Sequence, residues 1–198
     1  FGHAERADLL YRPYRVGPQG PIALFRDHAL SDRIGFHYQS WDAEAAAGDF
    51  VERLREAGRR FSAATGGEDA TVSVILDGEN AWEYYPYNGY YFLSDLYESL
   101  EAHAGIRTTT FGAWLDETVR GPSAVGEIAT LVSGSWVYGD FSTWIGASDK
   151  NHAWDLLCAA KASFDQVIAS GGLGAEQQAA ALRQLADCES SDWFWWLG

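Results

Sequence analysis

Two short apolar runs on either side of an amphipathic stretch restrict the fold of this chain more than any other feature. Ile22, Ala23, Leu24 and Phe25 form the first run, entered from the turn residues Gly17, Pro18, Gly20 and Pro21 and ended by Arg26-Asp27. Residues 71–76 (Thr-Val-Ser-Val-Ile-Leu) form the second, rich in β-branched side chains and stopped by Asp77-Gly78-Glu79. Between them Asp42 is placed to cap a helix reaching about Ala64. Phe50, Leu54, Ala57 and Phe61 recur at helical spacing, Glu52, Arg53, Glu56 and Arg59 face water, and Gly66-Gly67 closes the segment. Strand, helix, strand in this order predicts a right-handed parallel unit and an α/β class.

Beyond an aromatic loop running from Trp82 to Tyr91, Leu93, Leu96, Tyr97 and Leu100 predict one face of a helix that ends near Gly105. A third strand is expected over residues 108–111. Residues 134–146 are a loop loaded with Trp136, Tyr138, Phe141 and Trp144. Leu157, Ala160, Phe164, Val167 and Ile168 then mark an amphipathic helix over residues 151–170, terminated by Gly171-Gly172, and a second helix follows over residues 175–187. Strand-helix units give way to consecutive helices near residue 147, with no linker-like, repeated or low-complexity tract between them. The opening Phe1, the absence of any Met and the apolar close from Trp193 onward read as cut ends.

Charge removes whole classes of partner. A formal net charge of -14 disfavours a nucleic-acid surface, which neutralises phosphates with basic patches, and an anionic membrane surface alike. No run approaches the roughly 20 apolar residues needed to span a bilayer. Cys158 and Cys188 have no Cys or His neighbours at metal-ligand spacing, so no zinc site is expected, and two buried reduced thiols in a cytoplasmic protein are.

The chemistry concentrates where the strands end. In parallel α/β folds the loops leaving the carboxyl ends of the strands converge on the active site, and here those ends carry Asp27 and Asp77. For Asp27 a helix cap or a solvated loop acid is the better expectation. Asp77 differs: Gly78 permits a sharp turn, and Trp82, Tyr84, Tyr85, Tyr87, Tyr90 and Tyr91 follow as a dense aromatic surface. Flat amphipathic rings suit the apolar faces of sugars as well as cores. An acid walled by such rings would have its charged form disfavoured, and Glu79 and Glu83 would add like-charge repulsion, both tuning Asp77 toward a proton donor.

The run Leu76-Asp77-Gly78-Glu79-Asn80-Ala81-Trp82-Glu83 with Tyr84-Tyr85-Pro86 closely resembles a motif of glycoside hydrolase family 57. Three further blocks resemble that family in order: Phe25-Arg26-Asp27-His28 with Leu30-Ser31-Asp32 and Ile34-Gly35-Phe36; Gly134-Ser135-Trp136 with Asp140-Phe141, Trp144-Ile145-Gly146, Asn151 and Ala153-Trp154; and residues 191–198 from Ser191 and Asp192 to Gly198. The block from Phe25 to Phe36 is similar to that of amylopullulanase-like members.

The resemblance implies part of a distorted seven-stranded (β/α) barrel over residues 1–147, followed over residues 148–198 by the start of a helical region. It implies a retaining enzyme on α-1,4- or α-1,6-linked glucans, of the α-amylase or amylopullulanase type, with Asp77 as general acid/base and no cofactor. Transglycosylation by a 4-α-glucanotransferase or branching enzyme, and a non-catalytic carbohydrate-binding unit, are the rival readings. By position in the motifs Trp82 is a substrate platform, Glu79 tunes Asp77, and Asp192 and Trp195 contact sugar. Asp32, His37, Trp136 and Asp140 stand between site lining and structural duty, whereas Trp193 and Trp196 are expected in the core. The family's nucleophile is a glutamate in an earlier motif that this chain does not show, so an α-glucan and the remainder of a parent catalytic domain are the expected partners.

Overall fold

One helical turn, α1 (Ala7–Leu10), and a three-residue strand, β1 (Tyr14–Val16), begin a computed structural model that describes residues 7–78, 82–119 and 125–197. Strand β2 (Ile22–Ala23) returns antiparallel to β1, and after it come α2 (His28–Asp32), a π-helical turn over Arg33–His37 and a 3-10 turn over Tyr38–Ser40. Helix α3 (Ala43–Thr65), a 3-10 turn over Pro86–Gly89, α4 (Tyr90–Ala102) and α5 (Phe111–Val119) precede β3 (Gly126–Ile128). Strand β3 lies parallel to β1 with Tyr14 opposite Gly126, so the sheet order is β2-β1-β3. Helices α6 (Ser148–Ala169), α7 (Ala175–Cys188) and α8 (Ser191–Trp196) complete the chain. Contacts divide it into two compact units, Phe1–Leu131 and Val132–Gly198.

Helix α3 follows its sequence closely. The Asp42 carboxylate accepts the amide of Ala45, satisfying one of the orphan donors of the first turn, and Gly66 at φ 78° ends the helix in the left-handed conformation. Phe50, Ala57 and Phe61 are buried as the spacing predicts. The outer face carries a lattice in which Arg55 and Arg59 bind Glu52, and Arg59 also binds Glu56. The lattice is exposed, so each pair adds at most about 1 kcal/mol.

The first unit's core joins Leu30, Ile34 and Tyr38 to Ala46, Ala47 and Phe50 of α3 and to Tyr85, Phe92, Leu96 and Leu100. Burying each large side chain contributes roughly 1.5–3 kcal/mol. In α4 the inward line is Phe92, Leu96 and Leu100, spaced by four, with Leu93 at its flank. Tyr97, expected on that face, is 58% exposed because one residue past Leu96 turns it by about 100° around the helix.

The strands depart most from expectation. Of the run 22–25 only Ile22–Ala23 is a strand, and residues 71–76 meet the run 22–26 at a single parallel bridge, Arg26 to Ser73. Val72, Val74 and Leu76 nevertheless pack against the core in period-two alternation, so the side chains behave as a strand's while the ladder is confined to one bridge. Residues 108–111 form no strand: the Thr110 hydroxyl accepts the amide of Ala113 and its carbonyl that of Trp114, which starts α5 instead. A mostly helical α/β chain with a three-stranded sheet is therefore what the described residues show.

In the second unit α6 packs with α7. Leu157, Phe164 and Ile168 are half-buried, whereas Cys158, one residue and about 100° away from Leu157, faces water. Cys188 at the end of α7 is exposed too, so neither thiol is the buried one expected. Helix α8 is only six residues long and turns one ring, Phe194, inward. Trp193 and Trp196 are 54% and 76% exposed instead of lying in the core, their indole N–H groups donating to the Asp187 carbonyl and to Asp192. No helix among the described residues is long and apolar enough to cross a membrane.

Candidate functional site

Asp77 stands at the end of a segment fixed from three directions. The amide of Asp27 donates to the Ser73 carbonyl at 2.8 Å, the Ile75 amide donates to the Ser31 hydroxyl at 3.2 Å, and Arg26 Nε donates to the Ile75 carbonyl at 2.8 Å. With Val72, Val74 and Leu76 packed on the core, these bonds leave little freedom until the chain reaches Asp77.

Asp27 is the helix cap. It is buried, accepts the Leu30 amide and the Tyr11 hydroxyl, and so opens α2. Burial first, and then the hydrogen bond to Asp27, push the Tyr11 phenol above its ordinary range. Asp32 is also engaged on both oxygens, by Arg26 Nη2 at 2.9 Å and by His28 Nδ1 at 3.1 Å. His37, at the end of the π-helical turn, is exposed.

The side chain of Asp77 itself is exposed, not walled by rings. Tyr84, Tyr87, Tyr90 and Tyr91 are each more than half exposed, and Tyr91 stands edge-on to both Tyr87 and Tyr90 at the surface. Tyr85 turns the other way, into the core, where its hydroxyl donates to the Ile34 carbonyl and burial raises its phenol pKa. Trp82 is half-buried and leans on Tyr85 and Phe92 at ring distances of 5.5 and 6.4 Å, so part of its surface serves the core. Glu79 lies outside the described residues.

The second unit gathers a separate set. Trp136 and Trp195 stack at 6.2 Å with planes 13° apart, and both rings keep open surface, 81% and 44% exposed. Trp144 leans on Trp195 at 5.8 Å and donates its Nε1 hydrogen to the Ser135 hydroxyl. Stacked indoles with open faces can receive the apolar face of a pyranose ring. Gly134 lets the loop close, because a Cβ there would stand 2.4 Å from the Gly139 carbonyl oxygen.

Asp140, three residues before Thr143 in that loop, accepts both the amide and the hydroxyl of Ser142, and these bonds hold its carboxyl below the usual range. Asp192 is exposed and accepts from the Trp196 indole. Trp136 and Trp195 are thus brought together, while Asp140 and Asp192 are each occupied locally.

Three residues here were given no role from sequence. Arg26 clamps the segment before Asp77, and Lys150 and Trp154 bind the backbone around the tryptophan loop. A signal for Lys150 did exist: a cation in the first turn of a helix opposes the macrodipole, so such a residue needs another reason to be there. Among the described residues no group of three or more His, Cys, Asp or Glu side chains could hold a metal ion.

The family model of glycosyl hydrolase family 57 matches residues 3–119. Among solved structures the chain is similar to the crystal structure of a GH57-type branching enzyme from the hyperthermophilic archaeon Pyrococcus horikoshii. The TM-score is 0.66 at 18% identity, over 94% of this chain and 41% of that one. The chain therefore spans about two fifths of that enzyme's length. No curated protein matches it. With more than half of its residues under the family model, and with Asp77 and its aromatic loop inside the matched range, the chain belongs to glycosyl hydrolase family 57.

Proposed function

We propose that this chain carries the general acid/base and part of the sugar-binding surface of a retaining α-glucan-active hydrolase of the α-amylase or amylopullulanase type, cleaving α-1,4 or α-1,6 glucosidic bonds. In this reading residues 1–147 are the later half of a (β/α) barrel and residues 148–198 the start of its helical partner. The nucleophile is a glutamate outside this chain. The observation that supports the reading most is the clamped segment ending in an open carboxylate: Ser73 and Ile75 are held by Asp27, Ser31 and Arg26, and Asp77 follows them with its side chain exposed.

In a retaining enzyme the two carboxyl groups stand about 5–5.5 Å apart. One attacks the anomeric carbon while Asp77 protonates the leaving glycosidic oxygen; Asp77 then takes a proton from water, which releases the sugar from its covalent ester. Trp82 and the Trp136–Trp195 pair supply faces for sugar rings, while Glu79, Asp32, Asp140 and Asp192 supply acceptors for hydroxyl groups. A cytoplasmic setting, with starch-like or glycogen-like polymers as substrate, completes the reading.

The test is Asp77→Asn in the complete parent enzyme, with soluble starch as substrate. A loss of roughly 10²- to 10⁴-fold in kcat is expected from removing a general acid/base; full activity would sink the assignment. The chain by itself is expected to bind α-glucan without hydrolysing it, and robust hydrolysis by the pure chain would refute the missing nucleophile.

A transferase reading is favoured by the likeness in fold to a branching enzyme. Hydrolase and transferase share the covalent intermediate and differ in whether water or a sugar hydroxyl resolves it. Longer or newly branched products from maltooligosaccharides would select the transferase.

A further inference from the structure

We infer that Lys150 is a positioning residue, one that sets the Trp136–Trp195 stack by gripping two backbone carbonyls at once. Its ammonium donates to the Thr143 carbonyl at 2.8 Å and to the Phe194 carbonyl at 2.9 Å. Those carbonyls belong to the peptide groups immediately preceding Trp144 and Trp195, so one cation ties the loop that carries Trp136 and Trp144 to the helix that carries Trp195.

Lys150 is 6% exposed, and among the described residues no carboxylate pairs with it. Burying an ammonium costs stability unless its hydrogens find acceptors, and neutral carbonyls compensate less than a carboxylate would. The Phe194 carbonyl is one of the last four of α8 and has no partner within that helix, which makes it a natural site for a cation.

Trp154 acts from the same face of α6, one turn beyond Lys150. Its Nε1 hydrogen goes to the Trp144 carbonyl at 2.9 Å, and its ring stacks on Phe194 at 4.2 Å. Consecutive peptide carbonyls, those of Thr143 and Trp144, are thus held by residues four apart on one helix. The indoles inherit the constraint: Trp144 leans on Trp195, Trp195 stacks on Trp136, and Ser135 links Trp144 back to the residue beside Trp136. An open indole face for sugar depends on the two stacked rings staying nearly parallel, and Lys150 fixes the backbone from which both are presented.

The significance of the stack for sugar rests on the proposed function, so the experiment separates the two ideas. The stacked indoles give an exciton couplet in far-UV circular dichroism, assigned by its loss in Trp136→Phe. Lys150→Met keeps the aliphatic stem and removes the ammonium; it is expected to abolish the couplet, leave the helical signal in place and weaken maltoheptaose binding about tenfold. Lys150→Arg, which keeps the charge, is expected to recover part of both. An unchanged couplet in folded Lys150→Met overturns the positioning role. Unchanged maltoheptaose affinity in Trp136→Ala overturns the sugar platform instead, and leaves the grip of Lys150 standing.

Should Lys150→Met fail to fold, NMR of the wild-type ammonium decides. Slow proton exchange with coupling to the Thr143 and Phe194 carbonyl carbons is expected, and a freely exchanging ammonium overturns the inference.

Discussion

Arg26 Nε donates to the carbonyl of Ile75 at 2.8 Å, reaching across from one side of the parallel bridge to a residue two positions before Asp77. Its Nη2 meanwhile holds Asp32, which His28 contacts from the other side. The guanidinium thus joins the turn of α2 to the last residues of the segment that presents the acid, and its two bonds use the fixed fork that a lysine lacks.

Arg26→Met in the parent enzyme is therefore expected to lower kcat about tenfold with KM little changed, since a misplaced catalytic group costs orientation more than binding. The ion pair itself is half-exposed and contributes on the order of 1 kcal/mol, so thermal stability should move little. Steady-state kinetics beside a melting curve check both; a kcat equal to wild type would remove Arg26 from the site.

Packing predicts a sharper contrast. Phe61 is 1% exposed, meets Tyr11 edge-on and has the Arg12 guanidinium over its ring, so Phe61→Ala is expected to cost about 3–5 kcal/mol. Phe36 is 70% exposed, and Phe36→Ala should stay within about 0.5 kcal/mol of wild type. Urea denaturation of the two variants side by side measures the difference.

One hydrogen bond contributes at both ends of the pH profile of stability. Tyr38 donates to Asp49, which Arg53 and Arg33 also bind. Burial works against the Asp49 charge, but the hydrogen bonds from Arg53 and Tyr38 and the nearby guanidinium charges outweigh it and hold the carboxyl below its ordinary range. The folded value lies below the unfolded one, so this stabilisation is present above the usual carboxylate range and is lost as pH falls through the folded value. Burial first, then the bond to Asp49, raise the Tyr38 phenol. That contribution is full below the unfolded value near pH 10 and is lost as pH rises toward the folded one. Asp49→Asn should flatten the acid limb and Tyr38→Phe should soften both, as read by melting temperature against pH.

Gly134→Ala brings a methyl against the Gly139 carbonyl, a contact that backbone must move to relieve. Overpacking of this kind costs roughly 1–3 kcal/mol. Since Trp136 and Trp144 ride on the same loop, the displacement should appear as changed tryptophan emission. Wild-type emission and stability together would show that the loop closes without the glycine.

Helices α3 and α6 were legible because their information is local: an apolar recurrence of about 3.6 and a glycine stop lie within one segment of sequence, joined in α3 by the Asp42 cap. Residues 71–76 carry the composition and alternation of a strand, yet pairing depends on what lies beside them, and the bonds that fix Ser73 and Ile75 come from Asp27, Ser31 and Arg26, some 44 to 49 positions away. The Thr-rich residues 108–111 suit a strand and a helix cap equally, and the Thr110 hydroxyl decided for the cap. The aromatic loop after Asp77 was visible as composition, but composition does not tell an inward ring from an outward one. Tyr85 and Tyr84 are neighbours in sequence, 5% and 68% exposed.

The lattice on α3 has an electrical consequence. Glu44, Asp49, Glu52 and Glu56 are balanced in number by Arg53, Arg55, Arg59 and Arg60 on that helix, which is therefore formally neutral in a chain of charge -14. The whole acid surplus belongs to other segments, and the potential of the molecule is strongest where those lie. A positively charged matrix is therefore expected to hold the protein through segments other than α3.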